Sequence, residues 1–132
     1  MKKNTILWAD DDADDREIFR EILEAHAADH EVVEFANGQN LLNHIHSLSP
    51  ADYPCLIVLD LNMPILGGRE TLTALKADPV ISRIPIVLFT TSSSPVDLNF
   101  SDSMKVEMIT KPPSYNKLKN VIEHLIELCA KQ

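Results

Sequence analysis

The residues with chemistry to offer stand directly behind short apolar runs. Asp10-Asp11 follows Thr5–Ala9, Asp60-Leu61-Asn62 follows Leu56–Leu59, Thr90 follows Ile84–Phe89, and Lys111-Pro112 comes after Val106–Ile109. Gathered in one place they make a pocket holding at least three carboxylates, a hydroxyl and an ammonium. Carboxylates at close quarters repel, so they must be paired or share a cation. All-oxygen ligation with room for water suits Mg²⁺, which takes one or two carboxylates plus a phosphate oxygen. Such a pocket would neutralise an incoming phosphoryl group, with Lys111 pairing one oxygen and Thr90 donating a hydrogen bond to another. A carboxylate is itself a nucleophile toward phosphorus and yields an aspartyl phosphate. Asp60 is the candidate, because it ends the most apolar interior run. Taken singly, each piece has a plainer reading. An acidic cluster before a helix serves as a cap favoured by the macrodipole, which covers Asp12, Asp14 and part of Asp15. The combination at four separate run ends is what raises the pocket above that reading.

The elements that must position these groups follow from periodicity. Five short runs (Thr5–Ala9, Glu31–Phe35, Leu56–Leu59, Ile84–Phe89 and Val106–Ile109) have strand length, and several are rich in β-branched residues. The third and fourth are apolar without alternation, as in strands covered on both faces of a parallel sheet. Between them, Ile18, Phe19, Ile22 and Leu23 share a helix face. A second stripe (Leu41, Leu42, Ile45, Leu48) opens at Asn37-Gly38. A third runs from about Arg69 to Lys76 behind Gly67-Gly68. A last one follows Pro112-Pro113-Ser114, with Leu118, Val121, Ile122, Leu125, Ile126 and Cys129 on its apolar face. The stretch from Thr91 to Lys105 reads as a poor helix, although Ser92-Ser93-Ser94-Pro95 could cap one. Strict alternation of five strands with about five helices specifies an α/β, doubly wound, five-stranded parallel sheet with right-handed crossovers. Ligands bind beyond the carboxyl ends of such strands.

Composition excludes several function classes. The 132 residues are 45% hydrophobic and 24% charged, as expected of one globular domain spanning 1–132. A net charge of -8 argues against nucleic-acid partners, which need clustered Lys and Arg. No run approaches a membrane span and no signal peptide opens the chain, so a cytoplasmic protein is expected. Cys55 and Cys129 lie far apart with no partner motif and read as two reduced, mostly buried thiols. The five histidines show no ligand spacing and read as surface residues, and Trp8 reads as core or as a cover over the second helix.

With these residues in view, the chain resembles bacterial two-component response regulators over essentially its whole length. The resemblance is carried by Asp10-Asp11, Asp60 with Asn62-Met63-Pro64, Gly68, Thr90 and Lys111-Pro112. It implies a flavodoxin-like receiver fold with Asp60 as phosphoacceptor. Asp11, Asp60 and the Asn62 backbone carbonyl would bind Mg²⁺ directly, Asp10 would help through water, and Thr90 and Lys111 would hold the phosphoryl oxygens. It implies a cis Lys111–Pro112 bond as well. Lys76-Ala77-Asp78-Pro79, Ile84-Pro85 and Thr90-Thr91-Ser92-Ser93 resemble the single-domain, chemotaxis-regulator-like subgroup found beside phytochrome-type histidine kinases. The implied partners are a sensor histidine kinase or phosphotransfer protein and a downstream target protein, with the chain a monomer or weak homodimer. No output domain is expected, and no enzymatic activity beyond its own phosphorylation and dephosphorylation. Three features depart from the family. Met108 stands where an aromatic residue is usual three positions before the lysine, Met104-Lys105 replaces Gly-Ala, and the fourth helix is poor in helix formers. A flexible Met repacks where Tyr would flip, so the switch is expected to work by ordering Ser92–Ser103.

Other classes fit less well. A haloacid-dehalogenase-like phosphatase needs an Asp two residues after its nucleophile, and Asn62 stands there. Asp10, Asp12, Asp14 and Glu21 fall at EF-hand spacing, but Asp15 replaces the obligatory Gly and no helix precedes Asp10. A flavin or dinucleotide carrier needs a Gly- or Ser/Thr-rich first loop, where this chain has carboxylates. A receiver-fold binding module without phosphorylation remains the alternative if the pocket is vestigial.

Overall fold

Burial of the strands follows their sequences. Leu56–Leu59 and Ile86–Thr90 are buried at every position, as is Thr5–Ala9, whereas Glu31–Phe35 and Glu107–Thr110 are only partly covered. A computed structural model, described here for residues 4–91 and 94–130, places the three fully buried strands in the middle of one sheet and the other two at its edges. In chain order the elements are β1 (Thr5–Ala9), α1 (Ala13–His26), β2 (Glu31–Phe35), α2 (Gly38–His46), β3 (Leu56–Leu59), α3 (Gly68–Ala77), β4 (Ile86–Thr90), α4 (Pro95–Met104), β5 (Glu107–Thr110) and α5 (Tyr115–Ala130). Single 3-10 turns at Pro50–Asp52 and Ile81–Arg83 precede β3 and β4. All pairings are parallel, in the order β2-β1-β3-β4-β5. The order reverses direction at β1, so the first strand end lies beside the third.

Alternation along the strands divides the core in two. Ile6, Trp8, Leu56, Val58, Val87 and Phe89 face α1 and α5. Leu7, Ala9, Ile57, Leu59, Ile86 and Leu88 face α2 and α3, with Phe100 and Met104 of α4 packed alongside. Trp8 is therefore core, as the first of its two readings has it, and lies against α1 rather than the second helix, stacking on Phe19 with ring centroids 3.9 Å apart.

Two expectations, the free thiols and the cis bond, are corrected, and a third, a weak fourth helix that Ser92–Pro95 could cap, is met in α4. The cysteines are not two free thiols: Cys55, just before β3, and Cys129, in the last turn of α5, form a disulfide with a Cα–Cα separation of 4.8 Å. Their 74-residue separation hid a contact that the packing of α5 across the start of β3 creates. The weak segment is a ten-residue helix, α4. Ser94 caps it by accepting from the Asp97 N–H, and an Arg69–Asp97 ion pair and the Arg69 guanidinium over the Phe100 ring supply from α3 what local propensity lacks. The region expected to order on switching is thus already helical from Pro95, while Ser92 and Ser93 lie outside the described residues. Finally, Lys111–Pro112 is trans, as is every described peptide bond. An X–Pro bond prefers trans by about 0.5–1 kcal/mol, and Lys111 reaches its carboxylate partners in that form.

The helix ends carry signatures readable as caps. Asp12 accepts from the N–H groups of Asp14 and Asp15 at the start of α1, and Asn37 from that of Asn40 at the start of α2. Lys105 ends α4 in the left-handed conformation (φ 57°, ψ 44°), its N–H and that of Val106 returning to the carbonyls of Asp102 and Ser101. That position favours glycine.

Candidate functional site

Each strand of the central trio delivers a polar group at its carboxyl end. Asp10 follows β1, its N–H donating to the Phe35 carbonyl, and Asp60 follows β3, its N–H donating to the Ala9 carbonyl. Extension of the ladder by one residue fixes both carboxylates where the apolar strands stop. Thr90 is the last residue of β4, fully buried, and its carbonyl accepts from the Lys111 N–H at 2.8 Å. The five-strand order therefore brings Asp10, Asp60, Thr90 and Lys111 to one edge of the sheet, as the sequence predicts.

The Lys111 ammonium sits among carboxylates, 2.7 Å from Asp10, 2.9 Å from Asp15 and 3.1 Å from Asp60. Asp10 and Asp60 are buried, and Lys111 is mostly so. Burial pushes the Asp10 carboxyl up to about 6, against the opposing pull of its hydrogen bonds from Lys111 and the Asp12 N–H. Burial also works against the Lys111 ammonium, but hydrogen bonds to Asp10 and Asp15 outweigh it and its pKa lies above the ordinary lysine value. The amine is thus held as a permanent cation.

Asp11, next in the chain after Asp10, is exposed. Carboxylate oxygens of Asp10, Asp11 and Asp60 nevertheless lie within 4.8 Å of one another. Three hard, anionic oxygens so close, with one ammonium among them, fit a small divalent cation with water completing its shell. Asn62 is exposed, lines an open hollow with Asp11, Met63 and Arg69, and donates its N–H to Asp60 Oδ1 at 3.3 Å.

The loop behind Asp60 is tightly drawn. Leu66 N–H returns to the Pro64 carbonyl at 2.7 Å, which leaves Ile65 at φ 68° and 81% exposed. A β-branched residue in that region is strained. Gly68 then presses against the chain just after β3 so closely that a Cβ would collide with the Asp60 carbonyl oxygen. That contact explains why glycine opens α3.

Asp15 is the site residue that sequence reasoning missed. It reads as one more first-turn acid, yet Asp12 alone accepts the cap hydrogen bonds and Asp15 turns inward to Lys111. A supernumerary acid after a complete cap was the signal available. Behind Lys111, Trp8, Phe19, Phe89 and Leu118 line a cavity of about 40 Å³, and Trp8 Nε1 is buried without a hydrogen-bond partner among the described residues. The histidines stay apart from the site. His124 pairs with Glu107 and His30 with Asp29, the His30 side chain being largely covered rather than on the surface.

This geometry has counterparts. Residues 6–123 match the response regulator receiver domain. Response regulator Rcp1 of Synechocystis sp. is 31% identical over 122 residues, covering 89% of this chain and 83% of that protein. A protein-glutamate methylesterase/protein-glutamine glutaminase of Moorella thermoacetica is 32% identical over 92% of this chain but only 28% of its own length, so what matches is one part of that protein. Among solved structures, the phosphorylated cyanobacterial phytochrome response regulator RcpA superposes with a TM-score of 0.86 at 30% identity, covering 96% of this chain and 94% of that one. The Mn²⁺-bound form of Rcp1 gives 0.81 at 29% identity over 92% and 91% of the two chains. Sequence match, sheet order and the placement of acidic and basic groups at the strand ends agree, and the chain belongs to the response regulator receiver domain family.

Proposed function

We propose that residues 1–132 act as one phosphorylation-dependent receiver unit in the cytoplasm, with Asp60 as phosphoacceptor. An Asp60 oxygen attacks the phosphorus of a partner's phosphohistidine. The O–P bond forms as the P–N bond breaks, and the imidazole leaves with the electron pair. Asp10, Asp11, Asp60 and the Asn62 backbone carbonyl would hold Mg²⁺, which supplies positive charge against the phosphoryl oxygens when bound. Lys111 neutralises a further oxygen, and the Thr90 hydroxyl donates to another. The Asn62 side-chain amide stands where a phosphatase would have an acid-base carboxyl and carries no transferable proton, so hydrolysis is slow and the unit catalyses only its own phosphorylation and dephosphorylation.

The observation that carries this reading is the Lys111 ammonium lying between Asp60 and Asp10 beside three clustered carboxylates. The partners proposed are a histidine kinase or phosphotransfer protein and a downstream protein that reads the altered surface, with the unit a monomer or weak homodimer. Likeness to RcpA and Rcp1 makes a phytochrome-type histidine kinase the first donor to test. Intact-protein mass after incubation with Mg²⁺ and a small acyl phosphate tests the chemistry. A single phosphoryl adduct is expected, dependent on Mg²⁺ and lost in Asp60→Asn. Rapid donor turnover without an adduct would point to a phosphatase instead. Neither adduct nor turnover would leave a binding module on a receiver fold.

A further inference from the structure

Strand β3 carries distinct chemistry at its two ends. Asp60 follows its carboxyl end, and Cys55 precedes its amino end, bonded to Cys129 in the last turn of α5. The two ends are about 16 Å apart at the rise of an extended strand, so the cysteine pair lies outside the carboxylate pocket. Both sulfurs sit in the core shared by α1 and α5, at 2% and 5% residue exposure. A disulfide is a permanent feature in an oxidising compartment, whereas in a reducing one a bonded pair is transient and reports redox state. We propose that Cys55 and Cys129 form a reversible redox site, whose reduction releases the last turn of α5 from the start of β3. The inference rests on the cytoplasmic reading above.

The chemistry needs a dithiol reductant, such as a thioredoxin-like protein. Its thiolate attacks Sγ of Cys129, in the last turn of the helix, and the Cys55 thiolate leaves. The second thiol of the reductant then closes its own disulfide and expels the Cys129 thiolate. Two electrons pass to the cysteine pair, two protons complete the thiols, and the reductant is oxidised. Once reduced, the two side chains are small apolar groups that remain compatible with the core, so the fold persists while the tether is lost. The consequence reaches the surface through the neighbouring residue. Leu128 lines a cavity of about 290 Å³ whose other walls include Lys76, Arg83, Ile84, Lys105 and Val106. Loosening the turn moves Leu128 out of that wall and reshapes a hollow where Lys76, Arg83 and Lys105 meet Glu107, at the amino ends of β4 and β5 rather than at the carboxyl ends where Asp60 stands.

The test uses the whole protein, purified in air and divided into untreated and dithiothreitol-treated halves. Each is quenched and alkylated with N-ethylmaleimide under denaturing conditions for mass analysis, and each is followed by hydrogen exchange. The untreated half should carry no alkyl group and the treated half two. Amides of residues 126–130 should exchange at least about tenfold faster after reduction, with the melting temperature lower by about 10 °C. Cys129→Ala should show the fast exchange with or without reductant, and Cys55→Ala should do the same, which guards against a folding defect peculiar to one variant. Three results overturn the proposal: a disulfide that resists dithiothreitol until the protein is unfolded, free thiols that a mild oxidant such as diamide fails to join, or exchange at residues 126–130 unchanged by reduction. A fourth result, reduction by dithiothreitol but not by a millimolar reduced-glutathione pool, would count against the cytoplasmic reading and overturn the redox site with it. Running the Mg²⁺-dependent adduct assay on both halves keeps the Asp60 chemistry separable. An adduct in neither half counts against Asp60 chemistry and leaves the thiol result standing by itself.

Discussion

The two faces of the sheet are closed by different materials. On one, α1, through Phe19, and α5 cover Trp8 and Phe89, and a disulfide ties the last turn of α5 to the start of β3. On the other, α2 and α3 cover an aliphatic layer of Leu and Ile, with Met63, Met104, Met108 and Phe100 only partly buried at its margin. Interlocked rings and a crosslink leave few alternative packings, whereas methionines repack at little cost. Lys111 belongs to the stiff side, since Asp15 of α1 holds it and Phe89 lies 5.9 Å beneath it. Asn62, Met63 and α4 belong to the adaptable side. Lys111, which would grip one phosphoryl oxygen, is thus fixed, whereas Thr90 shares the face of Ile86 and Leu88 with the loop and helix that are free to respond.

The sharpest way to break this contrast is a pair of core substitutions measured by chemical unfolding. Trp8→Ala should lower stability by about 4 kcal/mol, because neither Phe19 nor Phe89 can collapse into the space. Met108→Leu, at the margin of the other layer, should cost less than about 1 kcal/mol. Comparable losses from the two would remove the distinction.

A smaller effect concerns the boundary where the faces meet. Folding raises the Asp10 carboxyl from 3.8 to about 6, so the folded chain binds this proton more tightly than the unfolded chain does. Its contribution therefore favours folding below pH 4 and is lost as pH climbs through 6. Without divalent cations, Asp10→Asn should be more stable than the parent by about 2 kcal/mol at pH 8. The gain should shrink toward zero near pH 4 and also shrink when Mg²⁺ is added to the parent. Melting temperatures across that range would show it, and a gain independent of pH would assign the effect to something other than the buried charge.

The smallest effect lies on the adaptable side. Lys105 holds a left-handed conformation at the end of α4, and Lys105→Gly should raise stability by about 0.5–1 kcal/mol. Slower hydrogen exchange confined to α4 and the start of β5 would accompany it. A loss of stability would mean that the lysine side chain contributes more there than its backbone costs.

How much of this was legible beforehand depended on the range of the interaction concerned. Asp10, Asp60, Thr90 and Lys111 could be read because a parallel sheet sends every strand end to one edge, so local runs were enough to place them. Asp15 was masked by Asp12, since both suit a first helical turn and only the finished cap shows that one is surplus. Helix α4 was underestimated because Arg69 and Phe100, from different elements, stabilise what Ser101, Asp102 and Ser103 weaken. The Cys55–Cys129 bond was invisible for a related reason. Periodicity placed Cys129 on the apolar face of α5, but nothing local reports which strand that face meets.

That bond divides the chain in a way that the folded shape conceals. In the oxidised, unfolded chain it closes the 74-residue separation between Cys55 and Cys129 into a covalent ring. Asp60, Thr90 and Lys111 lie inside the ring, while Asp10, Asp11 and Asp15 lie on the open N-terminal arm. The ring restricts its own residues even while they are unfolded and leaves the arm its full freedom. Since β1 sits between β2 and β3, the arm must dock β1 against the ring before Lys111 can meet Asp10. In the oxidised chain, assembly of the carboxylate pocket is therefore the joining of a constrained loop to a free tail, and the pocket exists only once both have reached their places.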